Sequence, residues 1–168
     1  MLFHLQYFIN SLLLVVYEYA VYTYAEHIKR SMNINITNYE SLLSVANQQP
    51  EPQRLLFVFL RASLPDDQGE EAVNRFHSGQ GGALQPIMCV DKTLSELSTF
   101  SALVAESERV EKDWQIVLVA GLAGRNGVAP SSDDAEEPLK MMLHAVENGG
   151  DLSKYMAFDR EGTPVQFG

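Results

Sequence analysis

The chain from residue 37 onward alternates between apolar residues at helical spacing and short runs that are apolar at every position. A capping box from Thr37 to Glu40 predicts the start of the first helix. Its apolar residues recur one turn apart: Tyr39, Leu42, Leu43 and Ala46. Residues 55–60 are apolar without interruption, which is typical of a strand buried on both faces.

The same criteria extend the alternation to the C-terminus. We predict further helices over residues 69–78, after the capping box at Thr93, and from Asp134 onward with Pro138 in the first turn. The predicted strands are 86–90, 115–121, 155–158 and 165–167, with a hairpin turn at 159–162. The order α-β-α-β-α-β-α-β-β predicts a layered α/β domain with a mixed, mostly parallel sheet and a C-terminal hairpin.

The first thirty-one residues differ from the rest of the chain. Residues 5–25 are mostly apolar, contain Glu18, and are followed by Lys29 and Arg30. Three interpretations are open: a start codon assigned upstream of Met32, an inner-membrane anchor, or a cleaved signal peptide. We therefore divide the chain into an extension, 1–31, and a single α/β domain, 32–168. We expect the domain to be cytoplasmic, with membrane attachment only if the extension is retained as an anchor.

Composition narrows the function classes. Twelve basic and twenty-two acidic residues give a net charge of −10, and residues 32–168 alone retain this value. Such a chain repels phosphate backbones, so we expect no nucleic-acid partner. A single cysteine, Cys89, excludes a disulfide framework or a cysteine-based metal site within one chain. No metal-ligand spacing and no catalytic motif is present, so we predict neither a metal nor a cofactor.

One glycine-rich segment is a candidate ligand site. It follows a predicted buried strand and precedes a helix, where backbone N–H groups can bind anions. Its candidate ligand-binding residues are Gly121, Gly124, Arg125, Asn126 and Gly127. The spacing matches neither the dinucleotide fingerprint nor the P-loop, and the acidic residues that begin the next helix oppose phosphate. A structural or partner-facing loop is the alternative.

Three other features have ordinary structural interpretations. We predict that Cys89 is a small core residue, because free cysteines are usually buried. Asp91, next to Lys92 at the end of a predicted strand, is expected to cap or turn the chain. The acidic segment 129–137 is either a surface for a basic partner or a solvated face.

Several segments resemble a group of small bacterial proteins called "ribonucleotide reductase subunit alpha". These segments are residues 51–59, 81–84, 88–92 and 157–162. The resemblance implies an accessory role in ribonucleotide reduction. The reductase large subunit itself uses a radical-bearing cysteine and a redox cysteine pair, which one cysteine cannot supply. A looser similarity, to the N-terminal domain of the serine-sensitivity-enhancing proteins, covers residues 46–50, 55–60 and 82–86.

The sequence therefore favours a non-enzymatic domain that acts through contacts with a protein partner. The alternatives are a small-molecule or nucleotide-binding module that uses residues 121–127, and the accessory role in ribonucleotide reduction.

Overall fold

A computed structural model describes residues 36–64, 69–77 and 82–167. Residues 36–168 form one compact unit. The helices are α1 (Tyr39–Asn47), α2 (Glu70–His77), α3 (Phe100–Ser107) and α4 (Ser132–Glu147), with a 3₁₀ turn at Leu94–Glu96. The strands are β1 (Gln53–Ser63), β2 (Ala83–Thr93), β3 (Ile116–Ala123) and β4 (Met156–Asp159). The predicted extension over residues 1–31 lies outside the described residues.

The four strands form one sheet in the order β2-β1-β3-β4, and every neighbouring pair is antiparallel. The α/β class is confirmed, but the prediction of a mostly parallel sheet is wrong. It rested on the uninterrupted apolar runs, which signal burial on both faces and not strand direction. In this structure, helices cover both faces of an antiparallel sheet. Burial on both faces therefore explains the uninterrupted apolar run in β1.

Alternate residues of β1 pack into two different hydrophobic cores, one on each face of the sheet. Leu55, Phe57 and Phe59 face α1 and α3 and join a cluster with Trp114 and Phe158. Their neighbours Leu56, Val58 and Leu60 are also buried, but they face the other side, where α4 packs on β1 and β2. The sheet is therefore the middle layer of three.

Helix starts differ from the predicted capping boxes by a few residues. Asn38, not Thr37, caps α1, and its Oδ1 accepts from the Ser41 N–H at 2.8 Å. Thr93 does form a capping box with Glu96, but the box opens only the 3₁₀ turn, and α3 begins after Thr99. Ser131 caps α4, so Pro138 lies inside the helix and not in its first turn.

The two edge strands of the sheet, β4 and β2, differ in whether another segment pairs with their outer side. Beyond β4 the chain turns at Gly162 and returns, with a bridge between Phe158 and Pro164 and a hydrogen bond from Val165 N–H to the Ala157 carbonyl. The predicted hairpin turn is present, but 165–167 do not form a strand. At the opposite edge β2 pairs with β1 alone among the described strands. Its eleven residues exceed the predicted 86–90, because Gln85 on one side and Asp91 on the other interrupt the apolar run from which that strand was predicted.

No helix in the described ranges combines the length and hydrophobicity that a membrane span requires. The apolar stretch 5–25 lies outside those ranges.

Candidate functional site

A groove of about 590 Å³ lies between the start of α1, the exposed side of α3 and the turn after β4. Its volume is within the range of ligand-binding clefts, and it is open along one side to solvent. Its lining combines a few apolar side chains with several carboxylates: Asn38, Glu40, Phe100, Ser101, Val104, Ala105, Glu108, Arg160, Glu161 and Gly162.

The floor of the groove is fixed by the hydrophobic core. The Phe100 ring is buried and lies 5.2 Å from the Tyr39 ring and 6.1 Å from the Phe158 ring, centroid to centroid. Gly162 has a φ of +81°, and a Cβ there would lie 3.0 Å from Phe100 Cδ1. Glycine therefore allows the turn to close over the ring. The apolar floor is therefore packed against both the core and the turn.

Arg160 forms one wall and is held from several directions. Its guanidinium lies 4.6 Å from the Trp114 ring centroid and donates to the Lys112 carbonyl at 2.7 Å and to the Trp114 carbonyl at 3.1 Å. It also forms an ion pair with Glu108, the residue that ends α3. Because its guanidinium is stacked on a ring and hydrogen-bonded on several sides, Arg160 fixes the position of Glu108 and is not a free cation.

Two carboxylates on the rim of the groove form no ion pair within the described part of the chain. Glu40 and Glu161 are exposed, and no side-chain hydrogen bond or ion pair joins either to another residue in the described part of the chain. With the charge of Arg160 matched by Glu108, these two carboxylates leave the groove net negative. The negative rim suits a cationic ligand, as does the net charge of −10.

The predicted glycine site is a tight turn, not an open loop. Gly121 lies within β3, where a Cβ would be 3.4 Å from Gln53 Oε1. Arg125 and Val128 exchange two backbone hydrogen bonds of 3.0 Å each across Asn126 and Gly127. Both central residues have positive φ, 53° and 76°, which is the type I′ hairpin geometry that Asn-Gly favours.

Two further N–H groups of this segment donate to acceptors within the chain. Gly124 N–H donates to the Pro52 carbonyl at 2.8 Å, and Gly127 N–H donates to Glu51 Oε2 at 2.7 Å. A carboxylate of the chain thus occupies the position an anionic ligand would take. Arg125 and Asn126 are exposed. Ligand binding at residues 121–127 stays a prediction, and a backbone cradle from these N–H groups would require the present bonds to break.

The start of α4 is likewise satisfied from within the chain. Ser131 and Asp134 form a reciprocal capping box, with the Ser131 N–H donating to Asp134 Oδ2 at 2.8 Å. Hydrogen bonds from the Ser131 hydroxyl and N–H lower the pKa of Asp134, so its negative charge persists at this helix end. That charge complements the helix dipole and opposes phosphate.

A polar junction that the sequence did not predict ties β1, β2 and α4 together. Arg54 forms an ion pair with Asp91 and donates from Nε to the Pro130 carbonyl at 2.7 Å. The Ser132 hydroxyl donates to Asp91 Oδ2 at 2.9 Å. Asp91 lies within β2, not at a turn as predicted. These contacts all lie within the fold, so the junction fixes α4 on the sheet.

Cys89 is exposed on β2, so the prediction of a core residue is wrong. The reason is its place on an edge strand, which only one neighbouring strand covers. Partial burial, followed by the negative charge of Asp91, raises the pKa of the thiol and disfavours the reactive thiolate. Among the described residues no group of three His, Cys, Asp or Glu side chains is placed to hold a metal ion.

Comparisons with family models, with curated proteins and with solved structures gave no match.

Proposed function

We propose that this domain binds a basic segment of a partner protein in the groove between α1, α3 and the turn after β4. The observation that supports it is the pairing of a preformed apolar floor with two uncommitted rim carboxylates. A lysine or arginine of the segment meets Glu40 or Glu161, and an adjacent apolar side chain contacts Phe100 and Val104. The net charge of −10 accelerates the encounter with a cationic segment.

Each half of the groove contributes a different part of the binding energy. Exposed ion pairs are worth only about 0.2–1 kcal/mol each, so the carboxylates select for basic segments without holding them tightly. The apolar contact adds about 25 cal/mol per Å² of apolar surface that the segment buries. The proposal therefore requires both a cation and an apolar anchor in the segment.

A displayed library of random peptides, selected on the immobilised full chain, tests this function. We expect the enriched peptides to combine basic residues with an apolar anchor. Their affinity, measured by fluorescence anisotropy, should fall about tenfold or more for the double variant Glu40→Lys/Glu161→Lys, because two attractions become repulsions. It should also fall as salt concentration rises.

The matched control is Glu136→Lys/Glu147→Lys, which changes the net charge equally on the exposed side of α4. Its effect should be several-fold smaller than that of the groove variant. Enrichment of acidic or uncharged peptides, or equal losses for both double variants, would refute binding in the groove.

A further inference from the structure

The free edge of β2 is the longest unpaired stretch of backbone in the described sheet. Ten of the eleven residues of β2 pair with β1 on one side, and no described strand or bridge pairs with the other side. An edge strand presents a row of unpaired N–H and C=O groups, which proteins usually blunt or cover. The contrast with β4 is direct, since its outer side is bridged by the return segment at Pro164.

Part of the β2 edge does carry protective features. Pro86 lacks an N–H, and the pairing with β1 shifts register between Phe59 and Leu60, opposite this part of β2. The shift leaves Ile87 without a partner on β1, so regular pairing resumes at Met88, and its uncharged part is residues 88–90. That stretch consists of Met88, Cys89 and Val90.

The charge pattern along β2 favours a second copy of this chain as the occupant. Residues 83–90 contain no Asp, Glu, Lys or Arg in a protein of net charge −10. The two charged residues that follow are matched internally, Asp91 by Arg54 and Lys92 by Glu106 at 2.7 Å. Two acidic chains can therefore approach along this strip without placing like charges opposite each other.

We propose that two copies of the chain associate through antiparallel pairing of their β2 edges, which joins two four-stranded sheets into one of eight strands. The contact is isologous, because residues 88–90 of one copy meet the same residues of the other around a two-fold axis. A single strand pair buries less surface than a standard stable interface, so the dimer is a weak one, in the micromolar range.

Salt dependence separates this association from peptide binding in the groove. Repulsion between two chains of charge −10 opposes the dimer, and screening removes it. We expect the dimer dissociation constant from sedimentation velocity of the full chain to fall about tenfold as ionic strength rises from about 0.02 to 0.5 M. Peptide binding to the groove changes in the opposite direction.

The variant Cys89→Lys tests the edge directly, because it places two ammonium groups close together at the two-fold axis and uses an exposed position. We expect it to be monomeric at concentrations where the wild-type chain is dimeric, with an unchanged circular dichroism spectrum. The matched control Cys89→Ala keeps the strip uncharged and should dimerise like the wild type.

Crosslinking gives a second readout without any substitution, since Cys89 is the only cysteine. An axis within residues 88–90 puts the two Cys89 side chains within about 7 Å along the strands, so a bis-maleimide of about 15 Å reach joins them. A wild-type chain that stays monomeric up to about 0.5 mM at high salt overturns the proposal. A dimer that Cys89→Lys leaves intact, or that the reagent does not crosslink, overturns it equally.

Discussion

Replacing Tyr39 by phenylalanine should stabilise the protein. The Tyr39 side chain is 1% exposed, and its hydroxyl has no hydrogen-bond partner among the described residues. Burying a polar group without a partner costs about 1–3 kcal/mol of folding free energy. Phenylalanine removes that cost and keeps the ring contacts with Phe100 at 5.2 Å and with Phe158 at 6.3 Å.

The gain should be smaller than the full desolvation cost. Removing the oxygen leaves a small void, and its lining loses some dispersion contacts. We therefore expect Tyr39→Phe to raise the free energy of unfolding by about 1 kcal/mol. For a domain of this size the midpoint temperature should rise by about 3–5 °C.

Urea unfolding followed by tryptophan fluorescence measures this difference, because Trp114 is the only tryptophan and is 1% exposed. Tyr39→Leu is the control, because it removes the hydroxyl together with the ring contacts and should lower the free energy of unfolding instead of raising it. A loss of about 1 kcal/mol or more in Tyr39→Phe would refute the reasoning, because it would mean that the hydroxyl makes a stabilising bond.

Alkaline pH provides a second readout of the same residue. Burial, followed by the negative charge of Glu40, raises the pKa of Tyr39 to about 12. The folded pKa exceeds the unfolded value of about 10, so this group's contribution is constant below pH 10. It is lost as pH rises from about 10 to 12, at about 1.4 kcal/mol per pH unit. The advantage of Tyr39→Phe should therefore widen across that window, by about 3 kcal/mol in all.

Three further substitutions test the packing that positions the groove and the sheet. Arg54→Ala should cost about 2–3 kcal/mol of unfolding free energy, because the half-buried Asp91 carboxylate loses its cation. Gly124→Ala should cost about 2–4 kcal/mol, since the new Cβ would lie 2.1 Å from the Val128 carbonyl oxygen. Ser107→Ala should cost about 1–3 kcal/mol and shift the tryptophan emission, because the indole N–H donates to Ser107 Oγ at 2.9 Å. Urea titrations measure all three.

Matched controls separate these effects from general sensitivity. Arg61→Ala removes an exposed arginine whose ion pairs are 3.7 and 3.8 Å long, and should cost less than about 0.5 kcal/mol. Gly127→Ala adds a Cβ to open space and incurs only the left-handed backbone penalty of about 1–2 kcal/mol. If either control cost as much as its partner, the contact invoked for that partner would not be the cause.

The burial of side chains determines hydrophobic periodicity. That periodicity therefore predicted the positions of most helices and strands. The uninterrupted apolar run in β1 predicted a strand covered on both faces, and α1, α3 and α4 provide that cover. Strand direction has no such local signal, because parallel and antiparallel strands enclosed by helices carry the same pattern. The antiparallel order could be read only from contacts between segments distant along the chain.

The Asn126–Gly127 pair did carry a usable local signal. Asn-Gly strongly favours a type I′ turn, so this pair predicts the tight turn that follows β3, whether or not the segment also binds a ligand. The groove had no comparable signal. Its three contributing segments are far apart in sequence, and only the fold brings Glu40 next to Glu161.

The two proposed surfaces are compatible because the sheet separates them. The groove lies beside the turn that follows β4, whereas the dimer edge is β2, and β1 and β3 lie between these strands. At about 4.8 Å per strand, the outer edge is some 14 Å or more from β4 across the sheet. Pairing two β2 edges therefore leaves both grooves open and places them at the far ends of one continuous sheet. A partner with two basic segments could then engage both grooves, and its binding would exceed that of a single segment without any additional contact. If both proposals hold, Cys89→Lys should abolish that excess while leaving the affinity for one peptide unchanged.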